Sequence, residues 1–369
     1  MQAFLEPLKE LADYQEIVSS RRKKTGFQQI AGCVNSQKIH LAKALSDGFE
    51  YRVIVFSSEE KAKQAYEEWR VLEENVWFYP ARDLLFYHAD IKGAFLTGKR
   101  MEVLRAIVEK KGREAITVVT TMDAFLDGLP SKEELYGNRI KIHAEEALDF
   151  QKLQENLSIL GYERENQVES PGQFAVRGGI LDVFPLTEEN PVRIELWGDE
   201  VDSIRSFDVE SQRSIENLDR IRIYPAGEFI ADDGRIKKGL AVLEKEAKRL
   251  ADQFFQERKT EESARLKAFA EEVKQSLTQW KQMSVLDGLV PYFYDRMVSF
   301  AEYFPKEALV VLDEPNRLWE EAQAIEKEFR ESMTNRLEKG YVLPGQMNLL
   351  CESQMASEKL QKHRCMGLC

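Results

Sequence analysis

Cysteine, histidine and long apolar runs are all scarce in this chain of 369 residues. Four cysteines, none in a CxxC pair, and four histidines leave no spacing that suits a zinc site, so no metal is expected. The few thiols fit a reducing compartment rather than a disulfide framework. No apolar run reaches the roughly 18 residues that a membrane span requires. The start, MQAFLEPLKELADYQE, is acidic and helix-patterned, and lacks the basic and apolar regions of a signal peptide. A cytoplasmic protein with no membrane contact is therefore expected. Positive charge is also in deficit: 52 Lys and Arg against 64 Asp and Glu give a net charge of −12. That balance argues against non-specific nucleic-acid binding as the main task, and leaves room only for a local basic patch.

What is present is enough for large cores. Apolar residues make up 43% and charged residues 31% of the chain, and its length suggests two or three domains. Residues 1–150 alternate strand-like runs at 27–31, 52–56, 76–79 and 116–120 with helical segments at 38–45, 59–72 and 99–110. That alternation predicts a parallel α/β sheet. Residues 151–228 change to short strands joined by Gly, Pro and Asn turns, and predict a separate β-rich domain. Residues 229–294 predict a helical domain. Leu240, Leu243, Ala247, Leu250 and Phe254 recur at helical steps, as do Leu266, Phe269, Val273, Leu277 and Trp280. Their charged outer faces are expected to be solvated. The apolar strand ALVVLD at 308–313 is expected to rejoin the first sheet, so that residues 1–150 and about 295–345 form one discontinuous domain. Residues 346–369 show no periodicity and are expected to be an irregular tail.

A strand, a glycine and then a helix carrying lysine is how a phosphate loop begins. Residues 32–39, GCVNSQKI, occupy that place, but the functional pattern is GxxxxGK[ST]. Gly32 and Lys38 match it. Gln37 replaces the second glycine, and Ile39 replaces the hydroxyl that ligates Mg²⁺. Asp313 and Glu314, at the end of an apolar strand, resemble the acidic half of the same site. Without a loop to present a triphosphate, they read rather as a strand-end turn before Pro315. The expectation is a degenerate nucleotide site, no catalytic residues, no cofactor and no measurable ATPase.

Residues 170–208, SPGQFAVRGGILDVFPLTEENPVRIELWGDEVDSIRSFD, are the most specific stretch. Apolar strand positions Phe174, Val176, Ile180 and Val183 are interrupted by Arg177, Asp182, Arg193 and Glu195. The stretch closely resembles the small β domain shared by bacterial transcription-repair coupling factors and the excinuclease B subunit. FYPARDLLFY at 78–87, the strand end VVTT at 118–121 and SFAEYFPKEALVVLDEP at 299–315 add weaker matches in the same order. Together they resemble the N-terminal third of the coupling-factor family, over residues 1 to about 350.

The resemblance implies a helicase-like α/β domain with an inserted β domain and a helical domain, its ATPase machinery lost. It implies a non-catalytic adaptor that recruits the excinuclease A subunit (UvrA) through the β domain. RNA polymerase and DNA would engage only family parts that lie beyond this chain, which looks like a fragment of that family. The family's contact arginines match Arg164 and Arg177, while Ala175 stands where the excinuclease B subunit has a further arginine. Without the resemblance, these two read as surface pairs, Arg164 with Glu163 or Glu165 and Arg177 with Asp182. Trp197 is a further contact candidate if it points outward, since either it or Leu196 must leave the core. The excinuclease B subunit's aromatic DNA-clamping hairpin would fall at 86–99, where FYHADIKGAFLTGK is too short and too poor in aromatics for it. An ATP-dependent helicase or translocase subunit and a direct damaged-DNA-binding protein are the alternative functions.

Overall fold

The computed structural model describes residues 5–10, 13–23, 27–33, 36–82 and 90–369. Its centre is a six-stranded, wholly parallel sheet. The strand order is Phe27–Ile30, Arg364–Leu368, Leu309–Asp313, Tyr51–Phe56, Ile116–Thr121 and Val76–Tyr79. A parallel sheet covered on both faces needs apolar residues at nearly every position. The period-2 alternation then divides them between two cores. Val53, Val55, Val310 and Leu312 pack on one side with Met101, Phe125 and Phe300. Ile54, Phe56, Leu309 and Val311 pack on the other with Leu45, Trp69 and Leu368. The α/β reading of the sequence holds.

The expected irregular tail at 346–369 is corrected by the structure. Ser353–Leu360 is a helix, and Arg364–Leu368 is a strand inserted between Phe27–Ile30 and Leu309–Asp313. Its residues from Cys365 onward are buried. Five residues covered on both faces leave no alternation to read, and Gly367 looks like a strand breaker. In fact a Cβ there would lie 2.6 Å from the Pro315 ring and 2.8 Å from the Phe27 ring, so the glycine permits the close approach.

The β unit begins at 140, earlier than the expected 151. Ile140–His143 pairs antiparallel with Arg220–Ile223. A six-stranded sheet runs Ser214–Asn217, Glu200–Phe207, Val192–Trp197, Ile180–Val183, Gln173–Arg177 and Glu163–Arg164. It is antiparallel except for its last pair. Phe174, Leu181, Val183, Val192, Ile194 and Ile204 pack with Leu153 and Leu157 of the helix Phe150–Ile159.

The helices Asp233–Gln256 and Thr260–Thr278 form the helical unit, and its core extends past the expected boundary at 294. Phe329 and Met333 of the helix Pro315–Glu338 belong to it, while Leu318 and Ala322 of the same helix belong to the α/β core. At the junction of the units the Arg100 guanidinium is fully buried. It bonds Glu228, Asp127 (2.8 Å) and the Pro80 carbonyl (2.6 Å), and lies 4.3 Å from the Tyr79 ring centre.

Candidate functional site

In an open parallel sheet the crevice for ligands lies beyond the carboxyl ends of the strands. Here those ends bring together the four residues that the sequence pointed to. Gly32 follows the strand Phe27–Ile30 with φ of +92°, a left-handed conformation that favours glycine. Lys38 lies in the first turn of the helix Ser36–Leu45. Its ammonium donates to Asp313 Oδ1 at 2.7 Å and to Glu314 Oε1 at 3.2 Å. Lys61, from the helix Glu59–Leu72, stands 3.7 Å from Asp313 and 3.9 Å from Glu314. Burial opposes the charge on Lys38, but the two carboxylates outweigh it and raise its pKa. The Lys38 hydrogen bond in turn holds the Glu314 carboxyl below its usual range. Ile39 is turned into the core beside Leu45 and Phe56, and Gln37 is exposed. Val34 and Asn35, at the centre of the loop, lie outside the described residues.

The segment matching the DNA-clamping hairpin falls partly outside them too, at 86–89. From Asp90 to Glu109 the chain is one helix.

The second candidate surface is on the β unit. Arg177 ends the strand Gln173–Arg177, before the Gly178-Gly179 turn. The Arg177 Nη2 donates to Asp182 Oδ2 at 2.7 Å, so the local pair foreseen as the alternative reading is present. That carboxylate is 1% exposed and serves two guanidiniums. Arg193 grips it bidentately, Nε to Oδ1 at 2.7 Å and Nη2 to Oδ2 at 2.9 Å, and these bonds raise the Arg193 pKa. Arg177 makes a single bond and stays 49% exposed. Two cations share one anion, so the cluster retains a surplus positive charge at the surface.

Arg164 is exposed on the two-residue edge strand, opposite Phe174. Among the described residues neither Glu163 nor Glu165, nor any other side chain, engages its guanidinium. Trp197 is 85% exposed, while Leu196 packs against the β core. Trp197 precedes the Gly198-Asp199 turn, and the neighbouring Leu196 N–H bonds the Gly179 carbonyl at 2.9 Å. Trp197 and Arg177 therefore lie at the same end of the sheet, two strands or roughly 10 Å apart. Arg193 and Arg205 were not singled out as contacts from the sequence. Ala175, Asp182, Arg193 and Arg205 are register partners across four strands and share a face. The signal was there, in Arg193 and Glu195 alternating with the buried Val192 and Ile194.

Residues 140–229, the span of this β unit, match the family described as the UvrB interaction domain. A transcription-repair-coupling factor of Bacillus subtilis is 31% identical over 339 residues, covering 91% of this chain and 28% of the relative. Those of Staphylococcus epidermidis and Staphylococcus haemolyticus are 31% identical over 283 and 274 residues, or 76% and 73% of this chain. This chain is homologous to the N-terminal region of transcription-repair-coupling factors. It spans about a quarter of the length of those relatives. No helix among the described residues is long and apolar enough to cross a membrane.

Proposed function

We propose that this chain is a non-catalytic adaptor module of transcription-coupled nucleotide excision repair, recruiting the excinuclease A subunit through its β unit. The observation that carries the proposal is the match of residues 140–229 to the UvrB interaction domain, on a unit that displays Arg164, Arg177 and Trp197. Arginine suits such a surface, because its planar fork binds carboxylates bidentately and tolerates partial desolvation. An exposed tryptophan beside a rigid hairpin adds a large contact area at little entropic cost.

The crevice of the α/β domain supports a non-catalytic reading. Asp313 and Glu314 already neutralise the Lys38 ammonium that a nucleotide's phosphates would need. A nucleotide would have to break those bonds, with Ile39 in place of a hydroxyl and Gln37 in place of a glycine.

Calorimetry with the purified excinuclease A subunit tests the adaptor reading. The double variant Arg164→Ala/Arg177→Ala is expected to weaken binding by about 10- to 100-fold, as loss of two interface anchors does. Unchanged affinity in that variant overturns the site. No binding by the wild-type chain overturns the function.

A further inference from the structure

The outer face of the helix Asp233–Gln256 carries a second surface, of a chemistry that the acidic chain as a whole does not have. Lys237, Lys238, Lys245, Lys248 and Arg249 recur at spacings that place all five within an arc of about 120° on that helix. The stripe is about 18 Å long. The capping acid of the helix and three of the four acids within it are tied down elsewhere. Asp232 caps it by accepting the Arg235 N–H at 2.7 Å. Asp233 pairs with Lys281 at 2.9 Å, and Glu244 with Lys274 at 3.0 Å. Glu246 accepts from the Tyr292 hydroxyl and from the Gly345 N–H. The cations are not tied down. Among the described residues no ion pair engages any of the four lysines, and Arg249 approaches Glu246 only to 3.9 Å. Asp252 is the one acid on the arc.

We propose that this stripe is a docking surface for the phosphate backbone of double-stranded DNA, bound without regard to sequence. A row of hydrated point charges on flexible stems matches a polyanion of regular charge spacing. A duplex presents about one charge per 1.7 Å of axis, or roughly ten phosphates over the length of the stripe. Phe255, exposed at the C-terminal end of the arc, is its one aromatic side chain, and a single ring offers no series of platforms on which successive unpaired bases could stack, which disfavours a single strand. Ala241 and Phe255 are its only apolar side chains, with Val242 at its margin, too few and too far apart along the helix for the apolar centre of a protein interface. The surface is separate from the β unit, and the proposal stands whether or not that unit binds the excinuclease A subunit.

The test is fluorescence anisotropy of a labelled 30-base-pair duplex of arbitrary sequence, titrated with the whole chain at several salt concentrations. The stripe variant is Lys238→Glu/Lys245→Glu/Arg249→Glu. The control is Lys63→Glu/Lys327→Glu/Lys362→Glu, which changes net charge equally at other exposed positions. Thermal midpoints check that both variants fold. The wild-type chain is expected to bind weakly, with log K falling against log salt at a slope of roughly −3 to −5. The stripe variant is expected to bind at least about tenfold more weakly and the control within about twofold of wild type. Equal loss in both variants, no salt-dependent binding by the wild type, or tighter binding to polyglutamate or to a single strand than to the duplex would each overturn the proposal.

Discussion

His363 sits between two carbonyl oxygens, with Nδ1 3.0 Å from Pro305 O and Nε2 3.0 Å from Ala301 O. Burial lowers its pKa below the ordinary 6.5, although both carbonyls and the field of Glu307 favour the charged ring. The unfolded chain therefore takes up the proton first. The stability that His363 confers is complete above about pH 6.5 and is lost as pH falls toward the folded value. Urea midpoints measured from pH 7.5 to 5.5 are expected to fall for the wild type and to fall less for His363→Gln. Equal slopes would show that this ring is not the group responsible. Burial also drives the Cys351 thiol up to about 11 and the Cys365 thiol to about 12, which removes both from thiolate chemistry near neutral pH.

Among the elements, the strand Arg364–Leu368 is sensitive to a single added methyl group. Gly367→Ala places a methyl group against the Pro315 ring, which starts the helix Pro315–Glu338 and has little room to move. The expected loss is about 1–3 kcal/mol in chemical denaturation, typical of overpacking. A neutral result would mean that Pro315 and Phe27 give way without strain. The same strand marks where sequence reasoning stopped. Tyr51–Phe56, Ile116–Thr121 and Leu309–Asp313 were legible as short runs rich in apolar and β-branched residues, as both-face burial favours. RCMGL was not, because its glycine answers to a ring brought near by the fold and its length shows no period. At the candidate sites the residue types were legible too. Gly32, Lys38, Asp313 and Glu314 were named from motif positions. That Lys38 would bind both acids depended on three strands and a helix meeting at one end of the sheet.

For the whole molecule, the buried network around Arg100 fixes how its parts meet. Arg100 comes from the α/β domain, Glu228 from the end of the β unit and Asp127 from the segment after the strand Ile116–Thr121. Burial opposes ionisation of Glu228, but Arg100 and Arg82 outweigh it and lower its pKa; for Asp127 burial prevails and raises it. Arg100→Ala leaves two buried acids short of their partner, with an expected loss of about 3–5 kcal/mol. Urea unfolding measures it, and Arg100→Lys is expected to restore only part, because an ammonium lacks the planar fork that spans both acids. A loss below about 1 kcal/mol would place the network among ordinary surface pairs.

The amino-acid sequence by itself determined the α/β class, the change to short strands near residue 150, the amphipathic helices and the family resemblance. Each rests on local patterning, on which backbone geometry acts directly. Only the tertiary structure decided that residues 364–368 complete the central sheet. It decided also that Trp197 rather than Leu196 leaves the β core, and that Asp182 is shared by Arg177 and Arg193. Only the fold, finally, decided that the lysines of the helix Asp233–Gln256 stay unpaired while Asp233, Glu244 and Glu246 are engaged. Those outcomes turn on which residues distant in the chain come within a few ångströms of each other, and burial and charge pairing are set by that proximity.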